Sequence, residues 1–163
     1  PLALRAQGFV PDVICAHPGW GEALFLKDAF PSARLLLYLE FFYRGSGSDM
    51  GFDAEFPASL DDQCRARMRN ATQMISLDAA DACISPTHWQ RDQYPAAFRE
   101  RIHVIHDGVQ THLVCPAPVD QFLLPDGRGT LHSGDEVITY VARNLEPYRG
   151  FHTFMRALPA VLA

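Results

Sequence analysis

Cysteine is sparse, and its spacing suits neither of its common structural uses. Cys15, Cys64, Cys83 and Cys115 are the only four in 163 residues, and no two form a CxxC pair. Disulfide scaffolds and zinc sites both use tighter patterns. Reduced thiols are therefore expected, with Cys15 and Cys83 in the apolar, strand-like context where free cysteine is often buried. No apolar run approaches the ~20 residues that span a bilayer, and no basic-then-apolar leader opens the chain. Positive charge is short as well: Lys+Arg total 14 against 19 Asp+Glu, a net charge of −5. Nucleic-acid binders carry a basic face, so nucleic acid is not an expected partner. The Gly-x-Ser-x-Gly elbow of the α/β-hydrolases is missing, and no internal repeat is visible. Gly45-Ser46-Gly47-Ser48 lacks the lysine and the strand-to-helix setting of a phosphate loop, and reads as a flexible loop.

What is present is the balance of a globular protein, 48% apolar and 20% charged. The chain opens on Pro1 in a helix-like segment and closes on Ala163 inside another. Both ends are expected to be cuts through a longer protein. Helical spacing runs to Gln7 and stops at Gly8, a common helix terminator. Val13–Ala16 and Leu35–Leu39 are short continuous apolar runs, the pattern of strands buried on both faces. Glu22–Phe30 between them has helical spacing and is closed by Pro31. Strand, helix and strand at this spacing make a βαβ unit, and hence a parallel sheet.

Residues 40–58 are irregular, and loops of that length in compact domains are often functional. Ser59 caps a long helix with Asp61 and Asp62 in its first turn, and helical spacing continues to about Ala79. Asp81–Ser85 is a third strand, Pro86–Arg91 begins a short helix, and Ile102–Ile105 is a fourth strand. Residues 111–135, with Pro116, Pro118, Pro125, Gly127, Gly129 and Gly134, read as a linker or surface excursion. Val137–Ala142 reads as a fifth strand, and Phe151–Leu158 as an amphipathic helix behind Gly150.

Three segments resemble a known family. Val141-Ala142-Arg143-Asn144-Leu145-Glu146-Pro147-Tyr148-Arg149-Gly150 is similar to the opening of the donor domain in the family-4 retaining glycosyltransferases. There a strand ends in Gly-Arg, a turn holds Glu-Pro, and Lys-Gly leads a helix. Val104-Ile105-His106-Asp107-Gly108-Val109 resembles that family's inter-domain crossover, and Ile84-Ser85-Pro86-Thr87-His88-Trp89-Gln90 its preceding strand and helix. The resemblance runs from roughly Asp12 to Ala163. Ala142 in place of glycine and Arg149 in place of lysine are departures from it.

The resemblance implies an α/β fold: a Rossmann-like parallel sheet with helices on both faces, within an incomplete two-domain architecture of the GT-B type. Residues 1–110 would be the later part of the N-terminal, acceptor-side domain, 111–135 the linker, and 136–163 the start of the C-terminal, donor-side domain. The implied activity is transfer of a hexosyl group from a nucleoside-diphosphate sugar to a hydroxyl acceptor (glycan, lipid or small molecule) with retention. No metal or cofactor is expected. The carboxylates that hold the donor in this family would lie beyond Ala163, so the chain alone is expected to be inactive. A cytoplasmic location is implied, with peripheral membrane association common among relatives that use lipid acceptors. Competing readings are a non-catalytic nucleotide- or sugar-binding module and a sugar epimerase of the same two-domain fold.

Site residues follow partly from position and partly from the resemblance. A strand end and a helix N-terminus expose unpaired N–H groups that favour an anion, and guanidinium groups suit phosphate oxygens. The resemblance assigns Arg143 and Arg149, with Gly150, to the donor diphosphate; the plainer reading is two arginines on a solvated turn. His17-Pro18-Gly19-Trp20-Gly21-Glu22 follows the first strand, at the end where open parallel sheets bind ligands. His17 is the candidate catalytic residue, contacting sugar or acceptor, or else it caps a turn. Gly19 would let a ligand approach the backbone. Trp20 is either a stacking wall or core packing. Glu40, at the end of the second strand, either binds hydroxyls or is a solvated loop carboxylate. His103 and His106 fall on opposite strand faces, which argues against a metal there.

Overall fold

A computed structural model describes residues 1–116 and 121–163. The chain divides into two compact units, Pro1–Asp107 and Gly108–Ala163. The first unit holds helix α1 (Leu2–Ala6), strand β1 (Val13–Ala16), helix α2 (Leu26–Ala29), strand β2 (Arg34–Tyr38), helix α3 (Leu60–Ala79), strand β3 (Ala82–Ser85), helices α4 (His88–Gln93) and α5 (Ala96–Arg99), and strand β4 (Ile102–Val104). The strands form one parallel sheet in the order β1-β2-β3-β4. The α/β parallel-sheet class expected from the sequence is the one observed.

Period-2 alternation along each strand decides what is covered. Leu35 and Leu37 of β2, Cys83 of β3 and Ile102 of β4 are buried in one cluster with Ala23, Leu39, Leu77, Ala80 and Tyr94. Ile14 and Ala16 of β1, Leu26 of α2, Met74 of α3 and Phe98 of α5 pack against that cluster. The alternate positions are more open: Val13 and Cys15 are exposed, while Leu36, Tyr38, Ala82 and Ile84 are half-buried. This second face carries the site residues described below.

Helix α3 is long because its start is well capped. Ser59 Oγ accepts the Asp62 N–H at 3.2 Å, and the Asp62 carboxylate accepts the Ser59 N–H at 3.0 Å. Such a cap contributes about 1 kcal/mol. Helix α2 is much shorter than the Glu22–Phe30 expected. Leu24 N–H bonds back to Gly21 O and Leu26 N–H to Ala23 O, tight three-residue turns, so α-helical bonding begins only at Leu26.

In the second unit, Gln121–Leu123 (β5) and Thr130–His132 (β6) pair as an antiparallel hairpin. This hairpin lies inside the span read as a linker; Pro118, one of the breakers invoked there, is outside the described residues. Helix α6 (Phe151–Val161) closes the unit. The fifth strand expected at Val137–Ala142 does not form. That segment has strand composition, but among the described residues no ladder pairs with it, and Val141 is 92% exposed. A strand without a neighbour leaves its backbone groups to water and gains nothing from side-chain pairing.

Asp81, just before β3, ties that strand to β2 and α2. Its carboxylate meets Lys27 Nζ at 2.7 Å, accepts the Leu35 N–H at 2.8 Å, and lies 3.3 Å from Arg34 Nη1. Lys27 first, then the Leu35 N–H, hold the carboxyl down at about 2 from its ordinary 3.8. A depressed carboxylate stabilises the fold above its unfolded value and loses that contribution as pH falls toward the folded one. Acid titration of stability should therefore show a loss between roughly pH 4 and 2 that Asp81→Asn flattens. Identical acid limbs for the two proteins in chemical denaturation would contradict this role.

Candidate functional site

Register and alternation together build the site. Cys15 pairs with Leu36 and Ala16 with Leu37, so one residue further His17 falls beside Tyr38. Two steps of alternation place Cys15 and His17 on the same face as Leu36, Tyr38 and Glu40. The His17 and Tyr38 rings are 6.1 Å apart. His17 Nε2 lies 3.3 Å from Glu40 Oε2. Of the residues singled out in the sequence, His17 and Glu40 are thus brought into direct contact at the C-terminal edge of the sheet.

The imidazole is held from its other side. The Gly19 N–H donates to His17 Nδ1 at 3.1 Å. A nitrogen that accepts from a backbone amide cannot carry a proton in the neutral ring, so the proton resides on Nε2, facing Glu40. The ring lies so close over Gly19 that a Cβ there would sit 2.9 Å from Nδ1, and closer still to Cε1. The missing side chain of Gly19 makes room for the imidazole of its own turn, a use different from the ligand approach expected. Gly21 sits at φ +91°, in the region that favours glycine.

Trp20 is 75% exposed, which decides against core packing. Its N–H donates to Glu22 Oε2 at 2.8 Å, fixing the turn beneath the indole. The backbone around Glu40 is anchored too: Gln90 Nε2 donates to Glu40 O at 2.8 Å, and buried Ser85 Oγ donates to Leu39 O at 2.9 Å. The carboxylate itself remains exposed.

Two residues beside this pair were missed in the sequence. Tyr38 Oη donates to the Asp107 carboxylate, at 2.8 and 3.0 Å from its two oxygens. Partial burial, then Asp107 and Glu40, push the phenol up to about 12. Tyr38 therefore stays a neutral donor at any physiological pH. Its position at the end of an apolar strand, next to Glu40, was the available signal.

In the second unit, Pro147–Arg149 forms a single 3-10 turn, and Gly150, at φ +73°, joins it to α6. Among the described residues no side chain caps α6. The two arginines differ. Arg143 is exposed, and among the described residues no hydrogen bond or ion pair holds its guanidinium. Arg149 Nε donates to Glu146 Oε2 at 3.1 Å, and its guanidinium lies 5.3 Å from the Tyr148 ring centroid. Glu146 is held below the usual carboxylate range by Tyr148 first and then Arg149. One of the two cations is thus already engaged.

The family model of the Glycosyl transferase family 4 group matches residues 2–114. The chain belongs to that family. The matched span covers all of the first unit but Pro1, including His17 and Glu40, and takes in the Val104–Val109 crossover. It ends before the Val141–Gly150 segment on which the diphosphate assignment rests. No curated protein and no solved structure matched the chain. Among the described residues of this family-4 chain, no helix is long and apolar enough to cross a membrane.

The held imidazole has a spectroscopic signature. Long-range nitrogen–proton spectra at high pH should show His17 as the Nε2–H tautomer, and Gly19→Ala should mix the two tautomers by displacing the ring. An Nδ1–H form in the unsubstituted protein would contradict the geometry.

Proposed function

We propose that this glycosyltransferase chain serves transfer of a hexosyl group from a nucleoside-diphosphate sugar to a hydroxyl acceptor, with retention of configuration. The observation that carries the reading is the His17–Glu40 pair at the C-terminal strand edge, on the part of the chain that the family match covers. An imidazole N–H held by one neighbour and aimed at a carboxylate is suited to gripping sugar hydroxyls. A hydroxyl inserted between them can accept from Nε2 and donate to Glu40. Positioning of this kind lowers a barrier by fixing the reacting groups before the chemistry. Trp20, exposed three residues after His17, supplies a flat apolar surface for a sugar ring.

Departure of the nucleoside diphosphate concentrates negative charge on its leaving oxygen. Arg143 and Arg149, with the uncapped α6 N-terminus behind Gly150, are the groups proposed to receive it, by electrostatic stabilisation of a developing anion. The reading needs no metal, because cationic side chains and backbone N–H groups carry the charge. The Arg149–Glu146 pair is the one observation that favours a weaker, non-catalytic nucleotide site: a neutralised guanidinium attracts phosphate less.

Titration of a nucleoside diphosphate against the chain separates these possibilities. Hydrogen bonds to charged groups contribute about 1.5–3 kcal/mol, so Arg143→Ala should weaken binding roughly tenfold or more. Glu146→Gln, which releases Arg149, should strengthen it. No binding by the unsubstituted chain, or affinities indifferent to both changes, would remove the diphosphate site from the proposal.

A further inference from the structure

The loop that carries Glu40 continues directly into the wall of a cavity of about 660 Å³ in the first unit. That volume is in the range of small-molecule sites. One wall is a stripe of α3 at three- and four-residue spacing, Gln63, Arg67, Asn70, Ala71 and Met74; the facing wall is the loop from Phe42 to Ser46. The loop is fixed in place rather than draped. Asn70 accepts the Tyr43 N–H at 3.0 Å and donates to Tyr43 O at 2.7 Å. Arg44 Nη2 donates to Gln93 O at 3.0 Å, which ties the loop to α4.

The charge of the lining is one-sided. Arg44 and Arg67 both border the cavity, and among the described residues no Asp or Glu does, in a chain whose net charge is −5. Arg44 uses one nitrogen on Gln93 and keeps the others. Arg67 has no hydrogen-bond or ion-pair partner among the described residues. Phe42, Met74 and Pro95 give the same cavity an apolar part. Guanidinium groups beside an apolar wall select a ligand with both characters.

We propose that this cavity binds an amphiphilic anion, a phosphate or carboxylate joined to an apolar body, and that this molecule is the acceptor. The acceptor role rests on the transfer reading above; the binding does not. Phe42 follows Glu40 by two residues, so a molecule seated here lies on the loop that leads to the His17–Glu40 pair. The Arg44 and Arg67 forks take the anionic end, and Phe42 and Met74 cover the apolar part.

Calorimetric titration of the chain with hexyl phosphate tests the cavity, with inorganic phosphate and hexanol as the single-character controls. Hexyl phosphate should bind at least tenfold more tightly than either control, and Arg67→Gln should lower its affinity about tenfold. Arg67 makes no hydrogen bond or ion pair among the described residues, and unchanged circular dichroism of the variant would show that the fold is intact. Co-sedimentation with phosphatidylcholine vesicles, with and without phosphatidic acid, distinguishes a headgroup in a membrane from a free amphiphile. Binding in either arm that depends on Arg67 supports the site. Binding in neither arm, or binding that Arg67→Gln leaves unchanged, overturns it. Nucleoside-diphosphate binding measured on the same protein reads the donor side separately, so loss of one result leaves the other standing.

Discussion

The in-register parallel pairing of β1 with β2 is the constraint on which the site depends. Because Ala16 stands opposite Leu37, both strands end at one edge. Alternation then carries His17, Tyr38 and Glu40 out on the same face. A one-residue slip would turn every side chain of β1 over, bury the imidazole against the Leu35–Leu37 side and leave Glu40 alone. The apolar cluster of Leu35, Leu37, Leu39, Cys83 and Ile102 therefore does more than stabilise the unit. It fixes the register that makes the His17–Glu40 contact.

Around that edge the chain uses backbone-directed polar contacts to hold irregular segments still. Gly19 N–H on His17, Gln90 on Glu40 O, Ser85 on Leu39 O, and Asn70 on both backbone groups of Tyr43 are all of this kind. Each satisfies a group that a loop would otherwise leave to water. Together they turn the long segment after β2 from a loop of apparent freedom into two anchored walls. One wall faces the imidazole, and the other borders the arginine-lined cavity.

The strands were legible in the sequence because Val13–Ala16 and Leu35–Leu39 are short apolar runs bounded by breakers, although burial on both faces did not follow: Val13 and Cys15 are exposed. Val137–Ala142 has the same composition and is no strand, because propensity says nothing about whether a neighbouring strand is there to pair. His17 and Glu40 were each found as strand-end residues. Their contact was not, since register is a tertiary property. Asp107 was noted only as part of the crossover segment, for the same reason: its partner, Tyr38, is distant in sequence and near only once the sheet forms. The Glu146–Arg149 pair is different. Its three-residue spacing was visible in the chain, and attention to the arginine as a phosphate ligand obscured the carboxylate beside it.

The central proposal is that sugar is gripped between His17 and Glu40, which the structure brings to 3.3 Å of one another. Amide and side-chain chemical shifts during titration with a nucleoside-diphosphate hexose test it most directly. The expected result is saturable movement of the Gly19 amide, the Trp20 indole N–H and the His17 ring signals, abolished by Glu40→Ala. Shifts confined to residues away from this edge, with those three signals unmoved at saturation, would contradict it.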